Sequence, residues 1–140
     1  MRNDLILFTI GRISERAKIF LTGELRERGM GELGVSHTEI LGILTRRERV
    51  QMKDLVELIG KDKSTITALA AKLLRMGLVR KTADPEDSRV SYLSLTAKGR
   101  ELEAPIMAIS RRLREKACRG LSERDRAELM RLLSIIQGNF

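Results

Sequence analysis

The chain has 140 residues, 42% of them hydrophobic and 33% charged, and 27 Lys and Arg against 19 Asp and Glu give a net charge of +8. That is enough chain and apolar matter for one domain with a real core, which excludes a disordered tail, and the basic excess points to a polyanionic partner such as nucleic acid or an acidic membrane surface. A single His and a single Cys exclude an intrachain disulfide and a zinc site of the usual kind and fit a reducing cytoplasm, while no Trp, one Tyr and three Phe leave no platform for stacking single-stranded bases.

The first apolar run, Leu5 to Ile10, is interrupted by Thr9 and followed by Gly11-Arg12, too short for a membrane span and without a cleavage site behind it. From Asp4 to about Arg28, Leu5, Phe8, Ile13, Ala17, Phe20 and Leu25 recur at helical spacings and predict one long amphipathic helix, ended by Gly29, Gly31 and Gly34. Ser36, with Glu39 three residues on, predicts a capping box and a second helix that closes at Arg46-Arg47. A short third helix, Lys53 to about Ile59, stops at Gly60. Asp62 or Ser64 caps a fourth that runs to Met76 and ends at Gly77. The period then changes from 3.6 to 2, and Leu78–Thr82 and Val90–Leu95 are expected as strands around the polar loop 83–89. Thr96 caps a fifth helix, Ala97 to about Arg119, bent at Pro105; Ser122 with Asp125 opens a sixth through Gln137.

The charge is unevenly placed. Residues 61–100 hold nine basic and four acidic groups, so they carry +5 of the total. Two helices joined by a tight turn and followed by a hairpin form a winged helix-turn-helix. On the wheel of the fourth helix, Ile66, Leu69, Ala70, Leu73 and Met76 make the buried stripe. Ser64, Ala68, Ala71 and Arg75 lie opposite, with Lys61, Thr67 and Lys72 at the margins. Small side chains let a helix axis enter a major groove closely, hydroxyls reach base edges or phosphates, and lysines hold the flanking backbone. An ordinary solvated face carries more Glu, and this one has no acid after Asp62. In the loop, Arg89 is placed to reach a minor groove, with Asp87 two residues earlier able to fix its rotamer. A plain surface salt bridge is the alternative for that pair.

Four segments occur in the order and spacing of the MarR family of bacterial transcriptional regulators, which this chain resembles. They are Lys63-Ser64-Thr65-Ile66-Thr67, Leu73-Leu74-Arg75-Met76-Gly77-Leu78-Val79, Asp84-Pro85-Glu86-Asp87-Ser88-Arg89 and Leu95-Thr96-Ala97-Lys98-Gly99-Arg100. The resemblance implies a homodimer with intertwined terminal helices and two winged lobes on a pseudo-palindromic operator. It further implies DNA contacts from Ser64, Thr65 and Thr67, and a minor-groove Arg89 braced by Asp87. Ala68 stands where many members carry a basic residue, Lys81 where an Arg usually follows, and Val56 replaces a common alanine.

Leu129, Met130, Leu132, Leu133, Ile135 and Ile136 crowd the last helix beyond one narrow stripe, which favours burial in a dimer over packing within one subunit. His37 reads first as a surface histidine and, through the resemblance, as the one candidate for effector binding. Cys118 reads as a bystander thiol and the six methionines as core filler.

The expected fold is mainly α: a six-helix winged helix-turn-helix with a two-stranded wing and room for a small third strand. Residues 1–34 and 101–140 form the dimerisation helices and residues 35–100 the DNA-binding lobe. The expected function is that of a cytoplasmic, sequence-specific regulator of transcription that binds double-stranded DNA, a repressor relieved by a small molecule. Helix 63–76 lies in the major groove and wing 83–89 in the minor groove. Lys63, Ser64, Thr65, Thr67, Ala68, Ala71, Lys72, Arg75, Asp87 and Arg89 are the expected DNA-binding residues. No catalytic residue, metal or cofactor is called for, since no nucleophile–base pair or phosphate-cradling glycine loop is present. A winged-helix module for protein contact without an operator is the alternative.

Overall fold

The computed structural model describes residues 5–140, so the expected helix start at Asp4 lies outside the described residues. The long first helix forms as α1 (Ile6–Glu27). It closes where Gly29 takes φ +75° and the Met30 N–H donates to the Leu25 carbonyl at 2.8 Å, a left-handed cap open to glycine at no steric cost.

Helix α2 (Val35–Arg46) starts one residue before the expected Ser36 cap. Gly34 is the N-cap, and its N–H donates to His37 Nδ1 at 2.9 Å. The Ser36–Glu39 capping box is therefore not what opens this helix. A glycine cap has no side chain to offer, and His37, three residues on, supplies the acceptor that a Glu usually provides.

A two-residue strand, β1 (Val50–Gln51), leads into α3 (Met52–Ile59), which ends at Gly60 with φ +74°. Helix α4 (Lys63–Arg75) follows, then β2 (Val79–Ala83) and β3 (Ser91–Leu95). The three strands form one antiparallel sheet in the order β1-β3-β2, with Val79 opposite Leu95 and Val50 opposite Leu93. This register turns Leu93 and Leu95 inward together, so the small third strand seals the sheet against the core.

The expected fifth helix is divided in two. Thr96 caps a single turn, α5 (Ala97–Arg100), and the chain restarts as α6 (Glu103–Ala117). Pro105 has no N–H for the Glu101 carbonyl four residues back and its ring crowds that carbonyl, so a continuous helix cannot pass. In the first turn of α6 the missing donor costs nothing. Ser122 and Asp125 form the expected reciprocal cap of α7 (Glu123–Gly138), with bonds of 3.0 and 2.9 Å.

One apolar cluster joins α2 (Ile40, Leu41, Leu44), α3 (Leu55), α4 (Ile66, Ala70, Leu73) and the sheet (Val50, Val79, Leu93, Leu95). Helix α1 packs on α6, burying Leu25 and Ile109, and the buried Glu24 carboxylate accepts from Arg112 Nη1 at 3.1 Å. Among the described residues, no helix is long and apolar enough to cross a membrane.

The seam between α4 and α5 is tight. Thr96 Oγ1 donates to the Gly77 carbonyl at 2.6 Å, Lys98 Nζ to the Met76 carbonyl at 2.9 Å, and the Thr96 N–H to the Leu78 carbonyl at 3.1 Å. A Cβ on the buried Gly99 would stand 2.0 Å from the Leu78 carbonyl oxygen. Gly99→Ala is expected to destabilise the fold by about 2–3 kcal/mol through this overpacking, measured as a lower urea midpoint at unchanged m-value.

Candidate nucleic-acid interface

The N-terminus of α4 is organised by Asp62. Its Oδ1 accepts from the Thr65 N–H at 2.7 Å and from the Ser64 hydroxyl at 2.8 Å. These bonds, the Thr65 backbone N–H foremost and the Ser64 hydroxyl next, pull the Asp62 carboxyl down to about 2. Because the folded-state value lies below that of the unfolded chain, the stabilisation is complete above the unfolded value near 4 and disappears as pH falls toward 2. Asp62→Asn keeps an N-cap acceptor without a charge. Its stability relative to wild type is expected to rise between pH 4 and pH 2, read from thermal midpoints.

The wheel of α4 is realised. Ile66, Ala70 and Leu73 are buried, and Leu69 and Met76 half-buried. Lys63, Ser64, Thr67, Ala68 and Arg75 are exposed, with Thr65, Ala71 and Lys72 partly so. From Lys63 to Ala83 there is no acidic residue. The Ser64 hydroxyl donates to Asp62 and Thr67 Oγ1 to the Lys63 carbonyl at 2.8 Å, so both oxygens retain lone pairs for outside donors such as base amino groups. Lys72 Nζ donates to the Glu32 carbonyl, tying the α1–α2 connection to α4.

Two aspartates build the wing. Asp84 Oδ1 accepts from the backbone N–H groups of Glu86 (2.8 Å) and Asp87 (3.2 Å), and its Oδ2 accepts from the Tyr92 hydroxyl at 3.0 Å. The Arg49 guanidinium stacks 4.0 Å from the centre of the Tyr92 ring, which links the wing to the α2–β1 connection. Asp87 takes three bonds from one residue: the Arg89 N–H (3.0 Å), Nε (3.1 Å) and Nη2 (3.2 Å). The Arg89 side-chain bonds are the main reason the Asp87 carboxyl lies below the usual range. Arg89 is thus held in one direction while its side chain remains 89% exposed.

Lys53, Lys63, Thr67, Lys81 and Arg89 line a groove of about 570 Å³ between α3, α4 and the wing, and Glu57 of α3 lines it too, so four cations and one carboxylate face one space. Ser64, Thr65, Ala68, Lys72 and Arg75 share a second, shallow depression on the outer side of α4, and His37 lies against it. Of the expected residues, Ala71 and Asp87 line neither concavity. Lys53, Arg49 and Tyr92 carry no motif or spacing that marks them for this site. Asp84 carries a local signal, the Asx-turn spacing to Glu86, whereas the Arg49–Tyr92 stack depends on packing across the sheet. Among the described residues, no group of His, Cys, Asp or Glu is placed to hold a metal ion. Cys118 is free and caps the end of α6.

A MarR family model matches residues 32–90, the segment that contains α2 to the end of the wing loop. The chain is 32% identical over 66 residues to the HTH-type transcriptional regulator SarZ of Staphylococcus saprophyticus, a match covering 47% of this chain and 45% of that protein. The match therefore spans less than half the length of that relative. With SarZ of Staphylococcus aureus the identity is 28% over 102 residues, 72% of this chain and 68% of that one. Among solved structures, a probable transcriptional regulator from Pseudomonas aeruginosa superposes with a TM-score of 0.83 at 25% identity, covering 96% of this chain and 98% of its own. A MarR protein from Peptoclostridium difficile shares the fold, with a TM-score of 0.88 at 22% identity over 99% of this chain and 89% of that one.

Proposed function

Since this chain belongs to the MarR family, on the match over residues 32–90 and a fold held in common through nearly all the rest, we propose that it regulates transcription as a homodimer on a pseudo-palindromic operator. In this reading α4 enters the major groove and the wing places Arg89 in the adjacent minor groove. One observation carries it: an acid-free helix face and an exposed, pre-aimed arginine flank a single groove lined by four cations against one acid, Glu57. Cationic lining and a fixed guanidinium suit the phosphate rows and the narrow, negative minor groove of duplex DNA.

The terminal segments, 1–34 and 101–140, form the dimer in this proposal, and residues 35–100 the reading lobe. Helix α7 buries none of its residues within one chain, and Leu129, Met130, Leu132 and Ile135 are 45–61% exposed along it. In α1, Leu7, Phe8, Ile13 and Ile19 are 58–67% exposed. Apolar surface on this scale at both ends of the chain calls for a cover, and an isologous second copy supplies the same faces in complementary orientation. Repression, and its relief by a small molecule, are carried over from the family resemblance.

The test is selection of bound duplexes from a random pool, followed by competition against bulk DNA. A family of related sequences that outcompetes bulk DNA is the expected result, with the logarithm of affinity falling by about 0.9 per phosphate neutralised for each unit of log salt. If no sequence outcompetes bulk DNA, the operator reading fails and the protein-contact alternative takes its place.

A further inference from the structure

Resting on the DNA-binding reading above, we infer that His37 is a further DNA-contacting residue, its Nε2–H donating to a backbone phosphate beside the groove that α4 enters. The proton is assigned by the ring's other nitrogen. Nδ1 accepts the Gly34 N–H at 2.9 Å, so the imidazole is the tautomer that carries its hydrogen on Nε2. Among the described residues, none accepts from Nε2. The ring lies in the shallow, solvent-open depression that it shares with Ser64, Thr65, Lys72 and Arg75, the outer face of the recognition helix.

The neighbours of the ring match a phosphate. Lys72 is held beside it by the Glu32 carbonyl, and Arg75 closes the same surface. A neutral donor and two cations thus converge on one open patch, with no carboxylate lining it. His37 is held below its ordinary titration range, by burial first and by the Lys72 charge second, so at pH 7.5 it offers a donor without a charge. The cap to Gly34 has already fixed the ring, so little rotamer entropy remains to be lost on binding. An enclosed effector cavity, the other reading of His37, is not what surrounds it.

Three proteins separate the possibilities: wild type, His37→Ala and His37→Glu, each titrated at pH 7.5 and several salt concentrations against duplexes that the wild type selects from a random pool. His37→Ala is expected to lose about a hundredfold in affinity, about tenfold at each of the two half-sites for a neutral donor to a charged acceptor. Its salt slope should match wild type, because no charge was removed. In His37→Glu the carboxylate can reach back to the Gly34 N–H and suits a helix N-terminus, so its thermal midpoint should equal or exceed that of His37→Ala. It also sets a negative charge against phosphate, so its affinity should fall below that of His37→Ala. If His37 serves only to start α2, Glu restores wild-type affinity, and that result overturns the inference. Wild-type affinity in His37→Ala overturns it too. Failure of the wild type to select any duplex defeats the DNA-binding reading itself, and is seen before any variant is made.

Discussion

Replacing Arg89 by alanine is expected to lower affinity for a selected operator by close to a thousandfold while leaving the dimer and its thermal midpoint unchanged. A base-directed arginine is worth about 2 kcal/mol per half-site, and a two-fold complex loses it twice. The size of the effect follows from the Asp87 brace. Two bonds from the Arg89 guanidinium to one carboxylate fix its direction before DNA arrives, so the ordering cost is met in folding rather than in binding. Stability is spared because the side chain is 89% exposed. Anisotropy titrations and sedimentation on the same protein check both halves. Wild-type affinity in this variant removes the wing from the interface.

The second large effect is expected at the other end of the molecule. Ile135→Glu places a carboxylate on the apolar face of α7, where the isoleucine is 52% exposed in a single chain. In the proposed homodimer that face would be covered, and an unpaired buried charge would weaken association by about 3 kcal/mol or more. Sedimentation should show monomer at micromolar concentration, and operator affinity should drop to that of one lobe alone. Unfolding of the wild type should depend on protein concentration, while that of the variant should not. A variant that remains dimeric would place the interface elsewhere.

Much of the architecture could be read from residue order because its signals are local. Gly60 and Gly77 end helices with φ of +74° and +71°, Asp62 caps α4, and the face opposite Ile66 and Leu73 is the exposed one. The start of α2 is not legible in the sequence because Gly34 has no side chain to advertise a cap and histidine is not a usual partner for one. The bend expected at Pro105 is instead a break, because the chain restarts as α6 with Pro105 in its first turn. Within the candidate interface, the exposure of Ser64 and Arg75 and the pairing of Arg89 with Asp87 follow from helical period and turn spacing. The tie from Lys72 to Glu32, forty residues apart, and the stack of Arg49 on Tyr92 do not. They arise from which elements the core brings side by side, and no period in the chain encodes that.

The bonds that join Thr96 and Lys98 to the carbonyls of Gly77 and Met76 have a mechanical meaning. They weld the end of the recognition helix to the root of the hairpin, and Gly99 leaves no space in the weld for play. Helix and wing then turn as one stiff reading head. In the proposed dimer, whose half-sites would lie about 34 Å apart, the soft coordinate would be the distance and tilt between heads. If the terminal helices form the dimer as proposed, a regulator of DNA affinity would act on them and on the span they set, far from any base it silences.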